Sequence, residues 1–219
     1  TLLDPCAGAG ALLGEAIIQG KNLPYKSFVG VEADNFIALC AKKILKRVAE
    51  ICDFHGKLDI KKGDGLEALM NLRLGSVNET TDIIINPPFG RLRFTKDRIT
   101  NKETCLRDRE GRGDDANRLA KYTRETASTI LETYPELKVD GGVPELSKLF
   151  LLACALNAEN GSKVSFIGPD TWLSGRQTAA LRRKILKSQL VGEVVHVKES
   201  FQAFSTVNQH TSILRMNNE

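Results

Sequence analysis

The sequence is poor in the residues that form disulfide frameworks and metal centres. Its 5 cysteines and 3 histidines are scattered over 219 residues, with no C-x-x-C pair. This distribution indicates reduced thiols, an intracellular setting and no metal site. Long apolar runs are missing as well, since none reaches the roughly 18 residues that a membrane-spanning helix needs. No secretory signal is visible, but the chain opens at Thr1 without a methionine, as expected for a piece of a longer protein.

The sequence also lacks a strong overall charge. Its net charge is +4, and its composition, 42% apolar and 26% charged, is ordinary for a globular protein. Between Arg91 and Arg124, however, 11 Lys or Arg residues stand against 6 Asp or Glu residues, so the rest of the chain sums to −1. The positive charge is therefore concentrated in one segment, which matters more than the total.

Short apolar runs alternate with helical patterns over most of the chain. This alternation predicts an α/β fold with a mostly parallel sheet, and the last two strands could form an antiparallel pair. In the second helix, an apolar stripe is expected to be buried: Ile37, Cys40, Ala41, Ile44, Leu45 and Val48. We expect helices over Ala11–Gln19, Asn35–Ile51, Glu145–Asn157 and Gly175–Lys187, and strands over Thr1–Leu3, Ser27–Val31, Leu58–Ile60, Thr81–Ile85, Lys163–Ile167, Val191–Val197 and Thr211–Met216.

A polar segment from Phe89 to about Pro144 interrupts this alternation. It is rich in Arg, Asp and Gly and too long for an ordinary connection. Segments of this kind are usually functional lids or disordered. The second half, near Ala116–Thr133, could be helical. We interpret residues 90–144 as an insertion or lid within one domain that covers residues 1–219.

Three features at predicted strand ends indicate a nucleoside-type cofactor. A glycine turn, Asp4-Pro-Cys-Ala-Gly8-Ala-Gly10, leads into a helix, so the backbone can approach a ligand and the helix N-terminus favours anionic groups. Glu32 can accept hydrogen bonds from both hydroxyls of a ribose, and Asp64 from an adenine amino group. Each feature could instead be structural: the glycines could form a tight turn, Glu32 could be an acid at a helix N-terminus, and Asp64 could be an ordinary turn residue. Together they favour a site at the carboxyl edge of a parallel sheet, and a nicotinamide enzyme is still an alternative.

The fourth strand runs into Asn86-Pro87-Pro88-Phe89, which is either a simple turn or a catalytic element. The amino nitrogen of adenine is a poor nucleophile because its lone pair is delocalised into the ring. The Asn86 side-chain oxygen and the Pro87 carbonyl could accept its two N–H groups and so expose a lone pair for attack on a methyl sulfonium. The two prolines make the turn rigid, and Phe89 offers a face for stacking the base.

These motifs resemble those of the N6-adenine DNA methyltransferases. Asp4-Pro-x-x-Gly-x-Gly, followed about 80 residues later by Asn86-Pro-Pro-Phe, is similar to the gamma group, in which the cofactor motif precedes the catalytic motif. Three later stretches, Pro144–Phe150, Val164–Gly175 and Phe201–Leu214, are similar to modification subunits of type I restriction systems and to methylase regions of fused restriction–modification enzymes. The resemblance covers nearly the whole chain except the polar segment.

The resemblance implies a fold, a cofactor and a set of site residues. The fold is a seven-stranded Rossmann-like sheet, mostly parallel with one antiparallel strand near the C-terminus, and the cofactor is S-adenosylmethionine. The implied reaction is site-specific methylation of the exocyclic amino group of a flipped adenine. The implied cofactor residues are Asp4, Gly8, Gly10, Glu32 and Asp64, the implied catalytic residues are Asn86, Pro87, Pro88 and Phe89, and Phe204 or alternatively Phe201 packs on the base, unless both are core residues.

The expected partner is double-stranded DNA, with a specificity or restriction subunit as a further partner, in a prokaryotic cytoplasm and without a membrane or metal. The sequence departs from the family at Cys6-Ala7-Gly8-Ala9-Gly10, which lacks the usual hydroxyl but keeps the backbone turn. We expect the upstream motif that grips the methionine end of the cofactor, and a target-recognition domain, to lie outside residues 1–219. We therefore expect residues 1–219 to be the catalytic core of a longer protein.

Three alternative functions stay open. RNA methyltransferases that act on adenine or guanine carry the same two motifs, although Phe201–Leu214 is more similar to the DNA group. A protein glutamine methyltransferase is the second alternative, because a glutamine amide is also a planar amino group. A non-catalytic nucleoside-binding module is the third, and the intact Asn86–Phe89 motif argues against it.

The basic segment generates a testable prediction. It directly follows the Asn86–Phe89 turn, so we expect it to contact phosphates beside the base pocket without reading sequence. Neutralising several arginines should flatten the salt dependence of DNA affinity by about one unit of log–log slope per lost contact. Fluorescence anisotropy at a series of salt concentrations measures the slope, and an unchanged slope would indicate a solvated loop. The residues to change are Arg91, Arg93, Arg98, Arg107, Arg109 and Arg112.

Overall fold

Most strands and helices lie close to their predicted positions. The computed structural model describes residues 1–20, 23–72, 80–88, 94–96, 103–105, 128–133, 145–174, 178–188, 190–197 and 210–217, with the backbone alone for 94–96, 103–105 and 190. The strands are β1 (Leu2–Asp4), β2 (Ser27–Glu32), β3 (Lys57–Lys62), β4 (Asp82–Ile85), β5 (Phe94–Lys96), β6 (Glu103–Cys105), β7 (Lys163–Pro169), β8 (Leu190–Val197) and β9 (Thr211–Asn217). The helices are α1 (Ala11–Ile18), α2 (Asn35–Ile51), α3 (Gly65–Met70), α4 (128–133), α5 (Leu146–Asn157) and α6 (Ala179–Ser188), and a turn of 3-10 helix covers Asp170–Trp172.

Seven strands form one sheet in the order β3-β2-β1-β4-β7-β9-β8. The first five strands of this order run parallel, whereas β9 is antiparallel to both of its neighbours, β7 and β8. The predicted α/β fold, mostly parallel with one antiparallel strand near the C-terminus, is therefore confirmed. The strand order reverses at β1, with β2 on one side and β4 on the other. Open α/β sheets bind ligands at such a point.

The structure adds three elements that the sequence analysis does not predict. Helix α3 has 6 residues, too few to show a helical period, and β5 and β6 have 3 residues each. These two strands pair antiparallel as a separate sheet inside the polar segment. Of the predicted helix near Ala116–Thr133, residues 128–133 are helical and the rest lies outside the described residues. No helix in the described part of the chain is long and apolar enough to cross a membrane.

The apolar core lies on both faces of the large sheet. Leu2 and Leu3 are neighbours in β1 but belong to different buried clusters, because alternate side chains of a strand point to opposite faces. On one face α5 is buried almost all round, with Leu151 and Leu152 fully buried. On the other face α1 and α2 enclose a smaller cluster that includes Phe28.

The buried face of helix α2 overlaps the predicted stripe but is shifted around the helix. Its buried residues are Ala38, Ala41, Leu45 and Ala49, whereas Ile44 is 47% exposed. The predicted stripe is thus right for Ala41 and Leu45, half-buried at Ile37, Cys40 and Val48, and wrong for Ile44. The three alanines have small side chains, so a face rich in alanine allows the helix to lie close to the sheet.

Asp82 connects strands at the amino-terminal edge of the sheet. The Tyr25 hydroxyl donates a hydrogen bond to Asp82 Oδ2 at 2.6 Å, and the Lys163 backbone N–H donates to Oδ1 at 2.7 Å. The Asp82 backbone N–H donates to the Thr1 carbonyl at 2.9 Å. Burial raises the pKa of Tyr25 above its ordinary value, and the bond to Asp82 raises it further, so this phenol stays protonated and donates.

Tyr25→Phe tests the contribution of this contact. The change removes the hydroxyl donor and leaves the ring packed edge-on against Phe28. Because hydrogen bonds to charged groups are the stronger ones, we expect a loss of about 1–2 kcal/mol in the free energy of unfolding. Urea unfolding followed by circular dichroism measures it. An unchanged midpoint would show that water replaces the hydroxyl at no cost.

Candidate active site

The four predicted polar site residues follow four adjacent parallel strands. Asp4 ends β1, Glu32 ends β2, Asp64 lies two residues after β3, and Asn86 directly follows β4. The strands are paired in register, with Asp4 opposite Gly30 and the neighbouring Leu3 opposite Ile83. Because the carboxyl ends of parallel strands meet at one edge, the structure brings all four residues to the same edge of the sheet.

The turn after β1 uses its two glycines for different physical reasons. Both have a positive backbone φ, 52° at Gly8 and 88° at Gly10, which residues with a Cβ rarely adopt. A Cβ on Gly10 would lie 2.9 Å from the Leu45 side chain, so this glycine lets α2 pack against the start of α1. A Cβ on Gly8 would meet no atom within 4 Å. Gly8 therefore borders open space that a ligand can approach.

Glu32 holds this turn in place. Its Oε2 accepts a hydrogen bond from the Gly8 backbone N–H at 3.0 Å, and its Oε1 accepts one from the Asp34 N–H at 2.8 Å. The cap of α2 is Asp34, whose side chain accepts from the N–H groups of Phe36 and Ile37. Asp34 thus fills the capping role that the sequence left open for Glu32. Each carboxylate oxygen of Glu32 has a second lone pair, so the side chain can also accept from a ligand hydroxyl.

Asp64 has a structural task as the cap of α3. Its Oδ1 accepts from the Leu66 N–H at 2.8 Å and from the Glu67 N–H at 3.5 Å, and the residue is buried. The following Gly65 was missed by sequence reasoning. A Cβ there would lie 1.8 Å from the Pro5 carbonyl oxygen, so only glycine allows α3 to start against the turn after β1. The Gly63-Asp64-Gly65 sequence is the signal that could have indicated this close approach.

Asp4 is the most buried carboxyl of the site, with a relative exposure of 1%. Its Oδ1 accepts the Cys6 backbone N–H at 3.0 Å. Burial raises the pKa of Asp4 to about 7; the Cys6 N–H opposes this shift and the charge of Glu32 adds to it. Burial also raises the pKa of the Cys6 thiol well above its ordinary value, so Cys6 stays protonated and is a poor nucleophile.

Asn86 differs from these three carboxylates. Each carboxylate accepts at least one backbone N–H, whereas no described residue forms a hydrogen bond with the Asn86 amide. Asn86 is half-buried, Pro87 is buried and Pro88 is half-buried. The turn is therefore partly buried, while the Asn86 amide forms no hydrogen bond within the part of the chain that the structure describes.

The remaining predicted site residues lie outside the described residues. These are the aromatic residues proposed to hold the base and the arginines proposed to contact phosphates, namely Phe89, Phe201, Phe204, Arg91, Arg93, Arg98, Arg107, Arg109 and Arg112. Their assignments stay predictions. The four cysteines whose side chains are described, Cys6, Cys40, Cys52 and Cys154, form no disulfide.

Comparisons with solved structures identify the fold. A protein from Listeria monocytogenes that is assigned to the class I S-adenosylmethionine-dependent methyltransferases is 18% identical, with a TM-score of 0.63. The type IIG restriction endonuclease BpuSI is 15% identical, with a TM-score of 0.64. The methyltransferase subunit of a type I restriction-modification system from Streptococcus thermophilus is 13% identical, with a TM-score of 0.62. The chain therefore has the class I methyltransferase fold.

In each of these three comparisons 100% of the chain is covered, but it spans only 53%, 22% and 39% of the respective neighbours. No protein-family model matches the chain, and no curated protein matches it in sequence. The structural comparisons thus establish the fold of the chain. The support for a particular reaction comes from the residues of the site.

The raised pKa of Asp4 predicts a pH-dependent gain in stability for Asp4→Asn. In the unfolded chain this carboxyl has its ordinary pKa of 3.8, whereas in the folded protein it is about 7. Between these values the folded state holds a proton that the unfolded state has lost, so stability falls as the pH rises from about 4 to 7. The amide keeps the acceptor for Cys6 and removes the charge. We expect the variant to be more stable than wild type at pH 8, by a few kcal/mol since one pKa unit is about 1.4 kcal/mol, and equal to it near pH 4.

Thermal melting at both pH values measures this gain. Asp53→Asn is the matched control, because the Asp53 side chain is 88% exposed and should give no such gain. Equal melting temperatures of Asp4→Asn and wild type at pH 8 would contradict the raised pKa of the buried Asp4 carboxyl.

Proposed function

We propose that this chain is the catalytic core of an S-adenosylmethionine-dependent DNA methyltransferase that modifies the amino group of adenine. The observation that carries the proposal is the Asn86 amide, which has no hydrogen-bonding partner among the described residues and lies at the edge where Gly8 borders open space. An amide followed by two prolines at this edge suits the binding of a planar amino group. The class I methyltransferase fold supports the choice of reaction.

The residues at the ends of β1, β2 and β3 fit S-adenosylmethionine. The space beside Gly8 would admit a ligand next to the backbone, and the half-buried Glu32 would accept the ribose hydroxyls. Asp64 would accept from the adenine amino group of the cofactor. The ionised form of Asp4 would attract the positive charge of the methionine part. When bound, the cofactor supplies a methyl group activated by a sulfonium centre.

Asn86 and Pro87 would activate the target base. The Asn86 side-chain oxygen and the Pro87 carbonyl accept the two N–H groups of the adenine amino nitrogen and draw it toward a tetrahedral geometry. Its lone pair then becomes available for attack. Pro87 is buried and both prolines restrict the backbone, so the two acceptors are held in place before the substrate arrives. Phe89 would stack on the base, as would Phe204 or Phe201.

DNA is the proposed substrate over RNA or protein. One structural neighbour is a type IIG restriction endonuclease, and another is the methyltransferase subunit of a type I restriction-modification system. The Phe201–Leu214 stretch also resembles the DNA group. The basic segment from Arg91 to Arg124 has the charge expected for phosphate contact. We propose that the chain acts at one defined DNA sequence within a restriction–modification system, with base-edge readout in another domain or subunit.

Methyl transfer from tritiated S-adenosylmethionine tests this function directly. DNA, RNA and protein are offered in parallel, and modified adenines are mapped by sequencing. Label in the adenine of DNA supports the proposal, whereas label in RNA or protein alone assigns the chain to one of those classes. Cofactor binding without transfer to any of the three would indicate a nucleoside-binding module.

Asn86→Ala should abolish transfer while cofactor binding stays nearly intact. The side chain acts on the target nitrogen, and removing one such hydrogen-bonding group from an active site typically costs at least about 100-fold in rate. Single-turnover kinetics measures the rate, and calorimetry measures cofactor affinity. Asn71→Ala is the matched control, because Asn71 is exposed at the end of α3. Normal turnover of Asn86→Ala would overturn the proposed mechanism.

A further inference from the structure

Two histidines and an aspartate, all potential metal ligands, meet where the carboxyl ends of β7 and β8 lie beside the start of β9. Asp170 directly follows β7, His196 lies near the end of β8, and His210 directly precedes β9. They are distant in sequence, but β9 pairs with both β7 and β8, and its register places Thr211 opposite Pro169 and Val197. The histidines are dispersed in the sequence, from which we expected no metal site; the antiparallel strand brings two of them together.

The cluster has the geometry of an incomplete metal site. His196 Nδ1 lies 3.6 Å from Asp170 Oδ2, and the two imidazole rings stack with centroids 5.8 Å apart and planes 26° apart. One potential ligand atom from each residue lies within 4.8 Å of the other two. Bonds of about 2.0–2.2 Å to a tetrahedral zinc ion put ligand atoms about 3.4 Å apart. Small side-chain rotations therefore suffice to close the site.

The surrounding backbone is rigid enough to hold such a site. Seven register pairs join β7 to β9, and the Asp170 N–H donates to the His210 carbonyl at 3.0 Å. The side chains of His196 and Asp170 are 50% and 28% exposed, so an ion can reach them from solvent. Two imidazoles and one carboxylate are a donor set suited to zinc.

We propose that Asp170, His196 and His210 bind one Zn²⁺ ion, with water as the fourth ligand. The ion joins the end of β7 to β8 and β9. The site shares no residue with the proposed cofactor and catalytic residues, although it lies at the same carboxyl edge of the sheet, and it does not depend on the function proposed above. The three protein ligands leave one coordination position to water, and the bound ion cross-links the strands on either side of the antiparallel β9.

Zinc titration of the whole chain against a chromophoric chelator tests the site. We expect one Zn²⁺ per chain in the wild type. His196→Ala and His210→Ala should each weaken binding about ten-fold or more, since losing even an outer-sphere partner of a metal ligand costs 10–100-fold. His55→Ala is the matched control, because His55 is an 86% exposed histidine that also lies beside an aspartate, Asp53. The zinc affinity of His55→Ala should equal that of the wild type.

Two further measurements distinguish zinc binding at this site from zinc binding by cysteines and from misfolding of the variants. Co²⁺ bound in place of Zn²⁺ should show the visible bands of tetrahedral coordination without a thiolate charge-transfer band. Zn²⁺ should raise the melting temperature of wild type and His55→Ala, but not of His196→Ala, His210→Ala or the more conservative Asp170→Asn. A thiolate band, unchanged zinc affinity in the His196 and His210 variants, or an equal loss in His55→Ala would overturn the proposal.

Discussion

The parallel pairing of β1 with both β2 and β4 is the constraint on which the candidate site depends. It places the ends of these strands at one edge, so that the turn after β1 lies between Glu32 and Asn86. Helix crossovers are required between parallel strands, and α1 and α2 provide them between β1 and β3. A shift in the register of β1 would move Asp4 and both glycines of the turn away from Glu32.

The carboxylates of the site have structural roles besides the ligand contacts that we propose for them. Glu32 binds the backbone of Gly8 and of Asp34, and Asp64 caps α3. Substitution of either residue therefore changes the shape of the site as well as any ligand contact. Burial raises the pKa of Asp4 because it is costly to place a negative charge there, and the nearby charge of Glu32 adds to this cost. A cationic ligand would relieve that cost, which is consistent with a sulfonium cofactor.

The last three strands of the sheet, β7, β9 and β8, illustrate a different consequence of topology. Strand β9 runs antiparallel between β7 and β8, so the start of β9 lies beside the ends of both neighbours. Asp170, His196 and His210 meet for this reason, although their spacing in the chain matches no metal-binding motif. The same arrangement places the Trp172 indole N–H 3.0 Å from the Ser212 hydroxyl, a buried hydrogen bond between the 3-10 turn and β9.

The sequence by itself determined the α/β class, the position of most strands and the location of Asp4, Glu32, Asp64 and Asn86 at strand ends. Local apolar periodicity and turn residues carry this information, because strands and helices differ in their repeat. Only the tertiary structure decided which face of α2 is buried, that Asp34 rather than Glu32 caps it, how far burial raises the pKa of Asp4, and that two histidines meet. These properties arise from contacts between residues far apart in the chain, for which a single sequence has no local signal.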